Sequence, residues 1–304
     1  MIKETITVNS EFDGLPLQVI VALPEGEAKG VVQLSHGMCE YIDRYEQLMR
    51  VLTENGYIVA GNDHRGHGNS VKTQDDLGYF YEKTGKAIVS DLVTVTKYLK
   101  NRFPALPVCL FGHSMGSMAA RCYLQENDTL VDKAVICGSP SKNPLAGVAI
   151  FLADTIALFK GERHRSKLLA DLAVGNGDKR FPNDGKNAWL SKNKESIEKY
   201  NADPWCNYVF TCNGFRNLFC LLKNTYTQKL YRVQNPALPI YFIAGADDPV
   251  IVSKEKWEEA KSFMTSLGYQ KVSGVLYEGL RHEVFNELDS EAVYADLLDF
   301  LSNA

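Results

Sequence analysis

The amino-acid sequence predicts an α/β fold, a mostly parallel, doubly wound sheet interrupted once by an inserted helical cap. Three observations carry that expectation. Apolar runs of strand character alternate with helical patterns from Gly30 to Cys137 and again from Leu238 to Leu301, the rhythm of strands joined by crossover helices. Between those stretches, residues 141–228 hold helical periodicity without strands. Finally, Val108–Ala120 runs as an apolar strand into Ser114 and directly out into a small-residue helix, with Gly112 and Gly116 two positions to either side, the setting of a nucleophile elbow.

Taken in order, residues 2–9 (Ile2, Thr5, Ile6, Val8) and 16–23 (Leu17, Val19, Ile20, Val21) flank Asp13-Gly14 and form an antiparallel hairpin. Gly30–Leu34 is a short apolar strand ending in Ser35-His36-Gly37-Met38. From Ile42 to Asn55, Tyr45, Leu48, Met49 and Leu52 fall at helical spacing, and Gly56 is a stop. The strand Tyr57–Ala60, a polar glycine-rich loop over Asp63–Ser70 and a long helix around 86–102 lead to the elbow, whose strand and helix cover 108–126. Ala134–Cys137 is the next strand. The series resumes with the strand Leu238–Gly245, a helix near 253–267, the strand Val275–Tyr277 and a terminal helix from Glu291 to Leu301. The core is therefore expected over residues 1–140 and 229–304, with the cap over 141–228. Within the cap, Leu145, Val148, Ile150, Phe151, Leu152, Ile156 and Phe159 are strongly apolar, and Phe215, Leu218, Phe219, Leu222 and Tyr226 recur at helical spacing. Such stripes either pack on the sheet or face a substrate; Phe151, Phe215 and Phe219 are the candidate substrate contacts.

With 304 residues and a formal net charge of −4, the chain has no electrostatic basis for binding nucleic acid. Its first ten residues carry charge where a secretory peptide needs an apolar core, and no apolar run reaches the roughly 18 residues of a membrane span. A soluble cytoplasmic protein is the expectation. The seven cysteines are odd in number and lack C-x-x-C spacing, which suggests neither a disulfide framework nor a zinc site.

A serine hydroxyl needs a base within hydrogen-bond reach and a third group to orient that base. In a doubly wound sheet these partners lie beyond the carboxyl ends of later strands. Asp247-Asp248-Pro249 follows the strand ending at Gly245, and Arg281-His282-Glu283 follows the strand ending at Tyr277. The order Ser114, Asp, His282 is that of the α/β-hydrolases; Asp248, next to Pro249, is the expected orienter and Asp247 the alternative. Charge developing on the attacked carbonyl calls for two backbone donors, one of them the N–H after the nucleophile. That donor is Met115, and the turn at His36-Gly37 nominates Met38 as the other. Cys39 follows and is a candidate lining residue. His36 and His113 brace these turns, and His64 and His67 share a structural loop with Asp63 and Arg65; no ligand spacing for zinc is met.

Ser35-His36-Gly37-Met38 with Arg44-Tyr45, then Asp63-x-Arg-Gly-His-Gly-x-Ser70, Phe111-Gly-His-Ser-Met-Gly116, Gly245-x-x-Asp248 and Arg281-His282-Glu283-x-x-Asn286-Glu287 together resemble the monoacylglycerol lipase and lysophospholipase branch of the α/β-hydrolases. The likeness spans nearly the whole chain, and the cap segment Trp189-Leu-Ser…Tyr200-x-x-Asp203-Pro204 is similar to bacterial members. The resemblance implies a cofactor-free, metal-free serine hydrolase that cleaves carboxylic esters, most closely monoacylglycerol or lysophospholipid-type acyl esters, through an acyl-serine intermediate. Ser114, Asp248 and His282 would be its triad, and the cap would shape an acyl pocket; the apolar stretch of the cap is separately a candidate for transient membrane contact. Amide or peptide cleavage and a small-ester carboxylesterase are the alternatives. A scaffold that only binds would be expected to lack part of the triad, and the dehalogenases, which carry Asp at the nucleophile position, are excluded by Ser114.

Overall fold

The computed structural model describes residues 1–174 and 177–303. Its strands are β1 (Ile2–Asn9), β2 (Pro16–Leu23), β3 (Gly30–Ser35), β4 (Tyr57–Asn62), β5 (Val108–His113), β6 (Lys133–Cys137), β7 (Pro239–Gly245) and β8 (Lys271–Tyr277). Its helices are α1 (Glu46–Glu54), α2 (Lys86–Arg102), α3 (Met115–Asn127), α4 (Ala146–Lys160), α5 (Lys167–Ala173), α6 (Lys194–Ala202), α7 (Cys212–Thr225), α8 (Lys254–Ser266) and α9 (Glu291–Ser302).

One sheet runs in the order β1-β2-β4-β3-β5-β6-β7-β8. The β1–β2 hairpin joins antiparallel at one end, and β4, β3 and β5 to β8 are parallel. Strands buried on both faces divide their residues by the two-residue period of the pleat. Val108 and Leu110 of β5 join a core with Leu92 and Val95 of α2 and Trp257 of α8. Cys109 and Phe111 face the opposite core, with Leu48 and Leu52 of α1 and Val293 and Leu297 of α9. The strand that runs into Ser114 is thus held from both sides, near the middle of the sheet.

Between β6 and β7 the described residues carry α4 to α7 and no strand. α7 packs against α4 on one side and α3 on the other. Three of the connecting helices start on side-chain caps: Ser166 accepts from Leu169 N, Asn193 from Ser196 N and Thr211 from Gly214 N, each supplying an acceptor to an otherwise orphaned donor.

Two boundaries differ from the sequence reading. Residues Ile42–Tyr45 form a 3₁₀ turn, and α1 begins at Glu46; Ile42 N is claimed by Asp63 Oδ1 at 3.0 Å, a tertiary bond that spacing does not reveal. β8 starts at Lys271, before the apolar run. It is the edge strand, with the polar Lys271 and Ser273 alternating with Val272 at its start, and Gly274 is present because a Cβ there would lie 2.4 Å from Phe242 O.

Candidate active site

Ser114 sits between β5 and α3 at φ 54°, ψ −118°, backbone space that a non-glycine residue occupies only when its surroundings enforce it. The enforcement comes from close packing. A Cβ on Gly116 would lie 2.0 Å from Ser35 O, and one on Gly112 would lie 2.5 Å from Gly116 O, so only glycine lets α3 approach β3 and β5 this closely. Ser114 N donates to Cys137 O at 2.9 Å.

The loop after β7 brings Asp248 to His282: Nδ1 lies 2.8 Å from Oδ2, and both residues are almost fully buried. The other Asp248 oxygen accepts from Val250 N at 2.8 Å, which sets the carboxylate's rotation. With its Nδ1 proton committed to Asp248, the ring presents the Nε2 lone pair that a base requires. Asp247 instead points to the half-exposed Lys192, with 3.9 Å between their charged atoms. The His282 ring is held between His113, with centroids 4.7 Å apart, and Trp189, at 5.0 Å.

Ser114 and His282 open on a cavity of about 650 Å³, within the range of small-molecule sites. Met38, Cys39, Met115, Phe215 and Phe219 line it as well. Met115 is the first residue of α3, where a backbone N–H has no acceptor within its own helix. Gly37, immediately before Met38, comes so close to Ser114 that a Cβ there would lie 3.2 Å from Ser114 Cβ. Cys39 is buried at φ 55° and its Sγ donates to Tyr208 O at 2.9 Å; burial pushes its thiol well above the usual range.

Phe151 is a correction. It is 73% exposed and does not line the cavity. α4 is apolar around much of its circumference, so spacing cannot select its inward face; the small Ala153 packs inward, and Phe151 and Phe159 point outward. Trp189 was not foreseen, because its contact with His282 joins the cap to a loop more than ninety positions away. Glu40, Arg44 and Glu283 also line the cavity; Arg44 and Glu283 stand in the motifs that carry the family resemblance, but the sequence shows neither their contact with each other nor the part of Glu40.

Beneath the Met38 turn, three histidines are fully buried. His36 Nδ1 lies 2.8 Å from Gly37 O, and its Nε2 accepts from His64 N at 2.8 Å. Ser35 Oγ is 3.0 Å from His64 Nε2, and His67 is ringed by Phe80 and Phe210. Among the described residues, no group of three or more metal-ligating side chains is placed to hold a metal. Burial lowers His36 to about 4 and holds His64 and His67 well below the ordinary imidazole range. On acidification the unfolded chain therefore takes up protons that the folded rings refuse, and their contribution to stability, complete above the ordinary imidazole pKa, is lost as pH falls toward 4. Asp63, which burial pushes up to about 6, Asp91, which burial raises, and His113, which burial would lower but Glu40 holds above the ordinary imidazole range, work in the opposite sense; of these only His113 and Asp63 act between pH 7.5 and 5, against three rings. The melting temperature is expected to fall between pH 7.5 and 5, and His67→Gln to make that fall shallower. Thermal melts across the range check this; a flat profile contradicts it.

The family model described as Serine aminopeptidase, S33 matches residues 26–289. The monoacylglycerol lipase of Mycolicibacterium smegmatis is 26% identical over 288 residues, covering 95% of this chain and 93% of that protein. The monoglyceride lipase of Rattus norvegicus is 26% identical over 273 residues, covering 87% of this chain and 79% of its own. Among solved structures, a thermostable carboxyl esterase from Bacillus coagulans in complex with glycerol superposes with a TM-score of 0.88 at 24% identity, over 99% of this chain and 98% of the other.

Proposed function

This chain belongs to the serine aminopeptidase, S33 family, and we propose that it hydrolyses monoacylglycerol or lysophospholipid-type acyl esters through an acyl-Ser114 intermediate. It is a carboxylic ester hydrolase with the α/β-hydrolase fold. The observation that carries the finer reading is the buried His282–Asp248 pair at 2.8 Å, opening with Ser114 on a cavity whose wall on α7 is apolar, at Phe215, Leu218, Phe219 and Leu222.

In this reading His282 Nε2 takes the Ser114 proton as Oγ bonds to the carbonyl carbon, and Asp248 stabilises the imidazolium. The carbonyl oxygen, now an anion, accepts from the Met38 and Met115 N–H groups. The tetrahedral centre collapses, the ester C–O bond breaks, and His282 passes its proton to the leaving alcohol. Water then attacks the acyl-enzyme with His282 again as base, releasing the fatty acid and restoring the hydroxyl. The α7 wall would hold the acyl chain, and Asn187, Tyr200 and Asn207 on the same cavity offer polar contacts to a head group.

The test is a p-nitrophenyl ester series of increasing chain length, beside 1- and 2-monoacylglycerols, a lysophospholipid and a matched acyl amide. The expected kcat/KM for long chains exceeds that for acetate by at least about tenfold, since each buried methylene contributes roughly 0.8 kcal/mol. Preference for acetate or butyrate would make the chain a small-ester carboxylesterase, and faster amide cleavage would move the reading to an amidase or peptidase.

The reading includes a cap over 141–228 that touches membranes transiently. Its support is the set of exposed apolar side chains Leu145, Val148, Phe151, Leu158 and Phe159 on and just before α4, the kind of exposed apolar surface that marks an interaction or membrane site. Among the described residues no helix is long and apolar enough to cross a membrane, so the contact would be peripheral. Phe151→Asp with Phe159→Asp is expected to abolish cosedimentation with phosphatidylcholine vesicles and leave hydrolysis of a dissolved short-chain ester within twofold. The cysteines of the described residues are free, which suits a reducing, cytoplasmic setting.

A further inference from the structure

Along one side of the cavity, a chain of charged side chains joins the two turns proposed to bear the chemistry. Glu40 is 4% exposed, and one of its oxygens accepts from Gly37 N, from Tyr45 OH at 2.7 Å and from His113 Nδ1 at 3.4 Å. Its other oxygen accepts from Arg44 Nη1 at 2.6 Å. The same guanidinium then forks onto Glu283 at 2.9 and 3.0 Å, and Glu283 is the covalent neighbour of His282. A shorter second path runs through His113, whose Nε2 lies 3.3 Å from His282 O. Glycine is required at 37 for the link to form, because a Cβ there would stand 2.6 Å from Glu40 Oε1.

Two buried carboxylates on one buried guanidinium, with His113 against one of them, make an ion cluster in a region of low dielectric. Such a cluster is often less stabilising than an apolar replacement of the same volume, so fold stability alone is a poor account of it. Its ends mark what it holds: Gly37 N, one residue before the Met38 donor, and the residue after the proton-carrying imidazole. Burial would raise the Glu40 carboxyl, yet His113 and Arg44 hold it well below the usual carboxylate range.

We infer that Glu40 is a positioning residue that, with Arg44, fixes the Met38 amide in register with His282, so that the donor for the oxyanion and the base for the nucleophile are set by one rigid link. The inference rests on the triad reading above. It concerns alignment in the transition state, when the carbonyl oxygen becomes an anion, and not the binding of the intact ester.

The experiment compares wild type with Glu40→Gln, Arg44→Lys and Glu283→Gln. It measures kcat and KM on one p-nitrophenyl ester, the inhibition constant of a long-chain trifluoromethyl ketone, and that of a fatty alcohol of equal length. The ketone adds to the serine and carries an oxyanion; the alcohol occupies the pocket without one. Glu40→Gln is expected to lower kcat on the order of 10²-fold, as loss of one aligned donor does, with KM and alcohol affinity within threefold and ketone affinity falling in step with kcat/KM. Arg44→Lys, which keeps the charge and loses the fork, should lose about tenfold by the same signature. Unchanged ketone affinity in folded variants, or equal losses for ketone and alcohol, overturns the inference. If Glu40→Gln does not fold, Arg44→Lys decides alone. The triad reading is tested apart, by Ser114→Ala: activity persisting there sinks the site itself, whereas loss there with unaffected Glu40 and Arg44 variants sinks only the link.

Discussion

Ser114→Ala is expected to lower ester turnover on the order of 10⁵- to 10⁶-fold, the scale seen when the nucleophile of a serine triad is removed. The substitution deletes one oxygen and little else. Alanine meets the same backbone penalty at φ 54° as serine does, because both carry a Cβ, and the Gly112 and Gly116 contacts that enforce the turn are untouched. The variant should therefore melt within about 2 °C of wild type, surface-scale changes being small in energy, while labelling by a fluorophosphonate disappears. Mass spectrometry of the labelled wild-type protein checks the position. A variant that still labels or still turns over places the nucleophile elsewhere.

Asp248→Asn is expected to cost on the order of 10⁴-fold in kcat, by a mechanism that the hydrogen bonds specify. One carboxylate oxygen already accepts from Val250 N, and an introduced amide would keep its oxygen there and turn its NH₂ toward His282 Nδ1. The ring must then accept at Nδ1 and carry its proton on Nε2, the nitrogen that should be receiving one from serine. Nitrogen NMR of the imidazole would report the exchange of tautomers. The matched control is Asp247→Asn: that side chain is half-exposed, with Lys192 3.9 Å away, and its loss should leave kcat within twofold. A loss of less than tenfold at Asp248, or a large one at Asp247, reverses the assignment of the orienting acid.

What could be read from the sequence was whatever local sterics and chain order dictate. The elbow is legible because a strand, a strained serine and a helix must follow one another within a dozen residues and need glycine at two fixed places. Asp248 and His282 are legible because parallel strands deliver their following loops to one edge of the sheet. Phe151 was misread because an all-round apolar helix such as α4 gives periodicity nothing to select. Trp189, Arg44 and Glu283 stand in recognisable motifs, yet the contact of Trp189 with His282 and the link from Glu40 through Arg44 to Glu283 were invisible for a different reason. Their partners are distant in sequence and meet only through tertiary packing, and a charged residue beside a catalytic turn reads no differently from one that faces water.

α7 is braced by α3, the helix that begins beside the nucleophile, and by α4, while its Phe215 and Phe219 are almost wholly enclosed. Under the proposed acyl-pocket reading, redesigning chain-length selectivity from those two rings would disturb the foundation of the elbow together with the pocket. Leu172, Val174 and Val209 touch the same cavity from more exposed ground, and libraries aimed there can vary what the enzyme accepts at little cost to its folding.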